Sequence, residues 1–189
     1  MSDVDTPTQS SRAPRRDALR NDVIIIDAAR AVFAEHGPQA SMEAIAHRAG
    51  VGVGTIYRRF PGKEALLDAI AELFTNEMDE AAAQALANPD PGAGLERFLD
   101  FVGQFNAEKR RYASALTDRT PLRDVSARTE ANVSKLTRNA VAAGFLSPKV
   151  TGDDIKALIV ALRGVVVASP DSDSGWRRFL DIHLAGLRA

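Results

Sequence analysis

Cysteine is absent from the 189-residue sequence. Without thiols the chain cannot form a disulfide scaffold, use a thiolate nucleophile or build a zinc site from cysteine ligands. Long hydrophobic runs are also lacking, since residues 157–168 are interrupted by Arg163 and are too few to span a bilayer. The opening MSDVDTPTQSSRAPRR contains no apolar leader, so we expect no signal peptide. These absences favour a cytoplasmic protein with no membrane segment.

Reactive constellations are equally scarce. The three histidines lie far apart in the sequence, and no nucleophile–base pair or metal-ligand cluster is discernible. The glycines of residues 50–54 lack the Lys-Ser/Thr of a phosphate-binding loop and follow no strand. We therefore expect no metal, no cofactor and no enzymatic activity.

Basic residues form two local clusters within residues 1–63, although the net charge of the chain is only −1. Basic clusters of this kind are typical of nucleic-acid contacts. The first cluster is compatible either with an arm that enters a DNA groove or with a solvated tail. The two clusters are Arg12, Arg15, Arg16 and Arg20, and then Arg58, Arg59 and Lys63.

Apolar residues recur at helical spacing along most of the chain, and neither a strand nor an internal repeat is evident. The sequence therefore predicts an all-α protein. Breaks at Pro61-Gly62 and at NPDPGAG (88–94) divide it further. The predicted parts are a disordered basic tail at 1–15, a three-helix head at 16–62, a connecting helix at 63–87 and a helical domain at 88–189.

Residues 41–60 have the outline of a helix-turn-helix. Ser41 is a good N-cap, Ala46 is small enough for close helix contact, and Gly50 allows the positive φ of a tight turn. Such a motif inserts its second helix into the major groove of DNA. That helix presents Val53, Gly54, Thr55, Tyr57, Arg58 and Arg59.

The stretch ASMEAIAHRAGVGVGTIYRRFPGKEALLDAI resembles the DNA-binding signature of the tetracycline-repressor (TetR) family of transcriptional regulators. The resemblance extends over residues 23–74 and includes an apolar pair, a glycine turn, a Gly-Thr-aliphatic-Tyr run and a following phenylalanine and lysine. These features are Ile45-Ala46, Ala49-Gly50-Val51, Gly54-Thr55-Ile56-Tyr57, Phe60 and Lys63.

The resemblance implies a role for each matching position in the head. Tyr57 and Lys63 would bind DNA phosphates, and Ser41 and Thr55 would lie near the DNA backbone. The groove-facing surface would contain Val53, Gly54 and Arg58. Arg59 departs from the family pattern, which often has His or Tyr there, so either a phosphate contact or a change in base choice is open to it.

For the second domain the resemblance implies effector binding and dimerisation, with the last two helices joining a second subunit in a four-helix bundle. The apolar stripes of residues 155–166 and 176–187 fit that role, although a monomeric core would show the same periodicity. Phe101, Phe105 and Trp176 are candidates for an effector cavity, with ordinary core packing as the alternative.

The resulting hypothesis is a homodimeric DNA-binding regulator, a repressor that a small-molecule effector releases from a palindromic operator. Its alternative is a helical ligand-binding or protein-interaction module whose DNA-binding head no longer functions.

Overall fold

A computed structural model describes residues 13–110, 126–168 and 173–189 of the chain. Within these ranges the only β-structure is an isolated bridge between Leu146 and Arg188, so the prediction of an all-α fold is confirmed. The elements are α1 (Ala13–His36), a 3₁₀ turn (Gly37–Gln39), α2 (Met42–Ala49), α3 (Val53–Arg59), α4 (Lys63–Leu86), α5 (Pro91–Arg110), α6 (Ala127–Ala142), α7 (Gly152–Ala168) and α8 (Asp173–Leu187).

Two of the predicted boundaries differ from the structure. α1 begins at Ala13, so residues 13–15, which the sequence assigned to the tail, belong to a helix. Residues 1–12 of the predicted tail lie outside the described residues. The chain divides into two compact units between Leu66 and Leu67, inside the first turns of α4, whereas the predicted head ends at residue 62.

The first unit contains α1, α2, α3 and the start of α4. Its core forms because each short helix turns a few apolar side chains inward, and α1 contributes a stripe at helical spacing. The largest fully buried members of this core are Ile25, Phe33, Ile45, Ile56 and Leu66.

Local capping fixes the ends of α2. The Ser41 hydroxyl accepts a hydrogen bond from the Ala44 amide at 3.1 Å and so caps its first turn. Gly50 ends the helix with φ +67°, a left-handed conformation that residues other than glycine rarely adopt. The Val51 amide then donates to the Ala46 carbonyl at 3.0 Å, which closes the turn. The direction in which the chain enters α3 is set by this turn.

The second unit is built around α5, which packs against α6, α7 and α8. α5 buries a stripe of large residues, and the facing helices supply the rest of one continuous core. The described helices include none that is long and apolar enough to cross a membrane. Buried side chains of this core include Phe98, Leu99, Val102, Leu136, Leu158, Leu162, Trp176 and Leu180.

Two polar caps organise the ends of helices in this unit. At the start of α7, the Thr151 amide donates to Asp154 Oδ2 at 2.8 Å, and the Asp154 amide donates back to the Thr151 hydroxyl at 3.4 Å. At the start of α6, the hydroxyls of Ser126 and Thr129 both donate to the carboxylate of Asp79 on α4. Burial acts to raise the pKa of Asp79, but these hydrogen bonds outweigh it and the pKa is lowered.

Candidate nucleic-acid interface

The outward face of α3 combines apolar, aromatic and basic side chains. Ile56 is fully buried and anchors the helix, because it points toward the core of the first unit. The side chains of Val53 (41%) and Tyr57 (43%) are exposed to solvent, and so is that of Arg58. Thr55 lies at the edge of this face and is half-buried. The structure thus brings most of the predicted recognition residues to one surface.

The leading end of α3 is narrow. Its N-cap is Gly52, which has extended backbone angles and no side chain to cap the first turn. A Cβ atom placed on Gly54 would meet nothing within 4 Å, so the space in front of this residue is open. A helix with so little bulk at its N-terminal end can bring its backbone close to a groove floor.

Tyr57 and Ser41 both face solvent but have different local partners. The Tyr57 hydroxyl donates a long hydrogen bond, 3.4 Å, to the Glu43 carboxylate in the first turn of α2. Ser41 is exposed, and its hydroxyl oxygen is the helix cap described above. Tyr57 therefore reaches the side of α2 that lies nearest the start of that helix, and its hydroxyl is weakly held.

Lys63 is the first residue of α4 and follows α3 in the sequence. Its ammonium nitrogen is 5.6 Å from the centroid of the Phe33 ring, so its stem packs on the apolar head while the charge stays near the surface. The side chain is half-buried.

Arg59 is turned toward α1 by an ion pair that sequence reasoning missed. Its Nε donates to Asp22 Oδ1 at 2.5 Å, and its Nη2 donates to Asp22 Oδ2. The Asp22 side chain is only 13% exposed, whereas that of Arg59 is 54% exposed. Hydrogen bonding to Asp22, reinforced by its charge, raises the pKa of Arg59 above its usual value. The guanidinium therefore ties the last turn of α3 to α1.

Nothing local in the sequence identifies this pair, because Asp22 and Arg59 lie on different helices far apart in the chain. A second ion pair connects α1 to α2, with Arg48 Nη1 2.5 Å from Glu35 Oε1. Arg48 and Arg59 each pair with a carboxylate of α1, and these two pairs help to set the orientation of the helix-turn-helix.

The three effector candidates do not lie together. Phe101 and Phe105 stack on α5 with ring centroids 5.5 Å apart, and Phe74 of α4 meets the Phe105 ring edge-on at 5.2 Å. Trp176 lies elsewhere, since its ring packs against Gly103, where an added Cβ would be 2.2 Å from Cζ3. Residues two apart on a helix point to different sides. Trp176 of α8 therefore contacts α5 on the side of Gly103, which differs from the side that carries Phe105.

Trp176 is fully buried, and its indole nitrogen has no hydrogen-bond partner within the described part of the structure. The stripe Phe101, Phe105 continues at the same spacing to Lys109, a residue that sequence reasoning also missed. Its ammonium nitrogen is 4.8 Å from the Phe74 ring centroid and 4.7 Å from that of Phe105. In the sequence, Lys109 follows Phe105 by four residues, as Phe105 follows Phe101, and this spacing is the signal that indicates a shared side of the helix.

Large apolar residues are exposed on both of the last two helices. α7 exposes Val160 (69%) and Val167 (63%), and α8 exposes Ile182 (56%). Small residues surround the two valines on the same side of α7, among them Ala161 and Gly164.

No group of three His, Asp or Glu residues placed to hold a metal ion occurs among the residues that the structure describes.

Family models match both units of the chain. The model for bacterial regulatory proteins of the tetR family matches residues 25–70, and the model for the SbtR-like transcriptional regulator C-terminal domain matches residues 90–189. A regulatory family also agrees with the prediction that the chain is not an enzyme.

Curated relatives and solved structures point the same way. The HTH-type transcriptional repressor KstR of Mycobacterium tuberculosis is 33% identical over 135 residues, which are 68% of this chain and 60% of that protein. A TetR transcription regulatory protein from Mycobacterium vanbaalenii has a TM-score of 0.74 and 30% identity, covering 93% of this chain and 99% of that one. A TetR transcriptional regulator from Streptomyces coelicolor has a TM-score of 0.72 and 30% identity, covering 88% and 98%.

The match spans 60% of the length of the M. tuberculosis KstR and 65% of that of the Mycolicibacterium smegmatis KstR. The second family model alone covers more than half of the present chain, and the first covers the helix-turn-helix, including the outward face of α3 described above. The chain therefore belongs to the TetR family of bacterial transcriptional regulators.

Proposed function

We propose that this chain is a homodimeric transcriptional repressor that binds a palindromic operator through α3 and leaves it when a small-molecule effector binds to the second unit. The observation that carries the proposal is the outward face of α3, where a narrow leading end is followed by exposed Tyr57 and Arg58. The name of KstR as a transcriptional repressor supports the sign of the regulation.

On DNA, Tyr57 and Lys63 would donate to phosphates, and Ser41 and Thr55 would lie along the backbone. Val53 and Gly54 would face the floor of the major groove. Arg58 is exposed in the second turn of α3 and would read a guanine edge with two hydrogen bonds. Arg59 has a different part in this proposal, because its guanidinium is engaged by Asp22 and positions α3 instead of contacting a base.

The partner for the exposed face of α7 and α8 would be the same face of a second copy. Val160, Val167 and Ile182 are too exposed to contribute to the core of their own chain. Small neighbours such as Gly164 would let the two copies of α7 approach closely. An isologous contact of this kind produces the two-fold symmetry that a palindromic operator requires.

Effector binding would weaken DNA binding by thermodynamic coupling. A ligand that prefers one arrangement of the dimer lowers its affinity for DNA when the operator prefers another arrangement. Phe101 and Phe105 would contribute apolar surface to the effector site. Trp176 packs on another side of α5, so in this proposal it supports the helix pair instead of lining the same surface. Because the partner is chromosomal DNA, the proposal places the protein in the cytoplasm.

The decisive experiment measures binding of the purified full chain to DNA from its own promoter region by fluorescence anisotropy. Operator recognition predicts one palindromic fragment bound far more tightly than random fragments, with affinity that falls steeply as salt rises. Equal binding of promoter and bulk genomic fragments would contradict the proposal. Absence of any binding would favour a helical module with a non-functional head.

The dimer is tested separately with Val160→Glu and Val167→Glu. Each places a carboxylate on the proposed contact, so light scattering should report monomers and operator affinity should drop sharply. Ala142→Glu is the matched control, because Ala142 is exposed on α6, a helix that carries none of these three residues. A monomeric wild-type protein, or dimers in both valine variants, would rule out this interface.

A further inference from the structure

The ammonium group of Lys109 is held among aromatic rings. Its nitrogen lies over the faces of Phe74 and Phe105 at nearly equal distances, 4.8 and 4.7 Å. The side chain is half-buried. Burial, together with the charge of Arg163, lowers the pKa of Lys109 to about 8, and the charge of Glu77 acts in the opposite direction. Ring faces stabilise a cation less well than water does, so this charge is held at an energetic cost.

Further positive charge lies around the same end of α5. Arg110 Nη1 donates to the Val166 carbonyl on α7 at 3.1 Å, which brings the end of α5 against that helix. Arg163 is one turn before Val166 on α7 and is half-buried. The charge of Arg163 contributes to the lowered pKa of Lys109. Glu77 offsets part of this positive charge, yet burial and Arg163 still lower the pKa of Lys109, so the ligand that complements this region is an anion.

Apolar surface adjoins the charge directly. Phe101 and Phe105 stack along the same stripe of α5 that Lys109 ends, and Phe101 is half-buried, so part of its ring is accessible. A molecule lying along this stripe would meet the accessible part of the Phe101 ring and then, two turns further on, an ammonium group.

We propose that the effector is an amphipathic carboxylate whose apolar part lies against Phe101 and whose anionic end pairs with Lys109. This inference rests on the proposed effector-responsive function and specifies its ligand class. A cationic ligand is disfavoured because Lys109 already occupies the ring faces that would otherwise attract it. A wholly neutral ligand would add no counter-charge to the half-buried ammonium.

The test compares three probes with the same twelve-carbon chain: dodecanoate, 1-dodecanol and dodecyltrimethylammonium, all below their micellar concentrations. Calorimetry on the free full-length protein measures binding, and anisotropy on the operator complex measures release. Wild-type protein should bind dodecanoate at least about tenfold more tightly than dodecanol, since a hydrogen bond to a charged group commonly contributes that much. The cationic probe should bind most weakly.

Lys109→Met removes the charge while keeping a flexible apolar side chain of similar length. We expect this variant to lose the preference for dodecanoate and to bind dodecanol as well as the wild type does, and retained dodecanol binding shows that the site is folded. Lys109→Arg should restore most of the preference. Lys135→Met is the matched control, because Lys135 is exposed on α6, and it should leave the preference intact.

Two results would overturn the inference: no dodecanoate binding to the wild type, or a dodecanoate preference that survives in Lys109→Met. Failure of the proposed function has a different signature. Dodecanoate would then bind in a Lys109-dependent manner in calorimetry, yet the operator complex would stay intact at saturation.

Discussion

Asp22 on α1 and Arg59 on α3 form a two-point ion pair, with Arg59 Nε 2.5 Å from Asp22 Oδ1 and Nη2 bonded to Oδ2. The two parallel donors of a guanidinium match a carboxylate in direction as well as in charge, so the pair restrains orientation. Asp22 is nearly buried and contributes the fixed half of the contact. The recognition helix is therefore oriented at both ends, by the Gly50 turn before it and by this pair in its last turn.

The first prediction concerns this pair. Asp22→Asn should weaken operator binding several-fold, because α3 loses an orientation restraint, while the slope of log affinity against log salt stays unchanged, since no phosphate contact is removed. Asp27→Asn, at an exposed position on the same helix, is the control. In a double-mutant cycle, Arg59→Gln should add little to Asp22→Asn. A reduced salt slope in Arg59→Gln alone would instead identify a phosphate contact.

Lys63 and Arg58 should differ in what their loss does to DNA binding. Lys63→Ala should weaken binding to all sequences about equally and reduce the salt slope by about one, as expected for a lost phosphate contact. Arg58→Ala should relax the preference at one base pair of each half-site, by about tenfold or more if the contact is bidentate. Anisotropy titrations on a set of single-substitution operators measure both effects. Equal losses on every operator in Arg58→Ala would remove its base-reading role.

The parts of the head that depend on local chemistry were predictable from the sequence. Ser41 as a cap and Gly50 in a left-handed turn each involve residues within a few positions of one another. Such contacts follow from short-range geometry, so a single sequence contains the information for them.

Contacts between distant helices were not predictable in the same way. Arg59 looked available for DNA because its partner Asp22 lies on another helix, and the same limit hid the position of Trp176. Aromatic residues in an all-α domain pack on whichever side of a helix has space, and only the three-dimensional arrangement shows that Gly103 provides it. Lys109 was overlooked because a lysine near a helix C-terminus has an ordinary explanation in the helix dipole.

Gly103 is required by its contact with Trp176. Alanine is favoured over glycine inside a helix by about 1 kcal/mol, but a Cβ here would lie 2.2 Å from Trp176 Cζ3. Gly103→Ala should therefore lower the free energy of unfolding by about 1–3 kcal/mol, as overpacking does, and should shift the emission of the single tryptophan. Gly186→Ala on α8, where a Cβ meets nothing within 4 Å, is the control. In a Trp176→Phe background the cost of Gly103→Ala should shrink, and an undiminished cost would place the strain elsewhere.

The lowered pKa of Lys109 predicts how the affinity for an amphipathic carboxylate depends on pH. Lys109 is about half protonated at pH 8 in the free protein, and only the ammonium form attracts a carboxylate. A bound carboxylate therefore raises the pKa of Lys109, so affinity should be greatest below pH 8 and should fall as the pH rises to 9. The charged neighbours of Lys109 are Glu77 of α4, Glu108 and Arg110 of α5 and Arg163 of α7.

Calorimetry at pH 7 and pH 9 measures this decline, with dodecanol as the reference ligand whose affinity should stay constant. NMR of isotope-labelled lysine side chains follows the pKa directly and should show it rising when dodecanoate binds. Lys109→Met should bind dodecanoate with no pH dependence across the same range. If the wild-type affinity for dodecanoate is equally independent of pH, Lys109 does not pair with the carboxylate. A decline caused by a general effect of pH on the protein would also lower the affinity for dodecanol, so the dodecanol reference distinguishes the two causes.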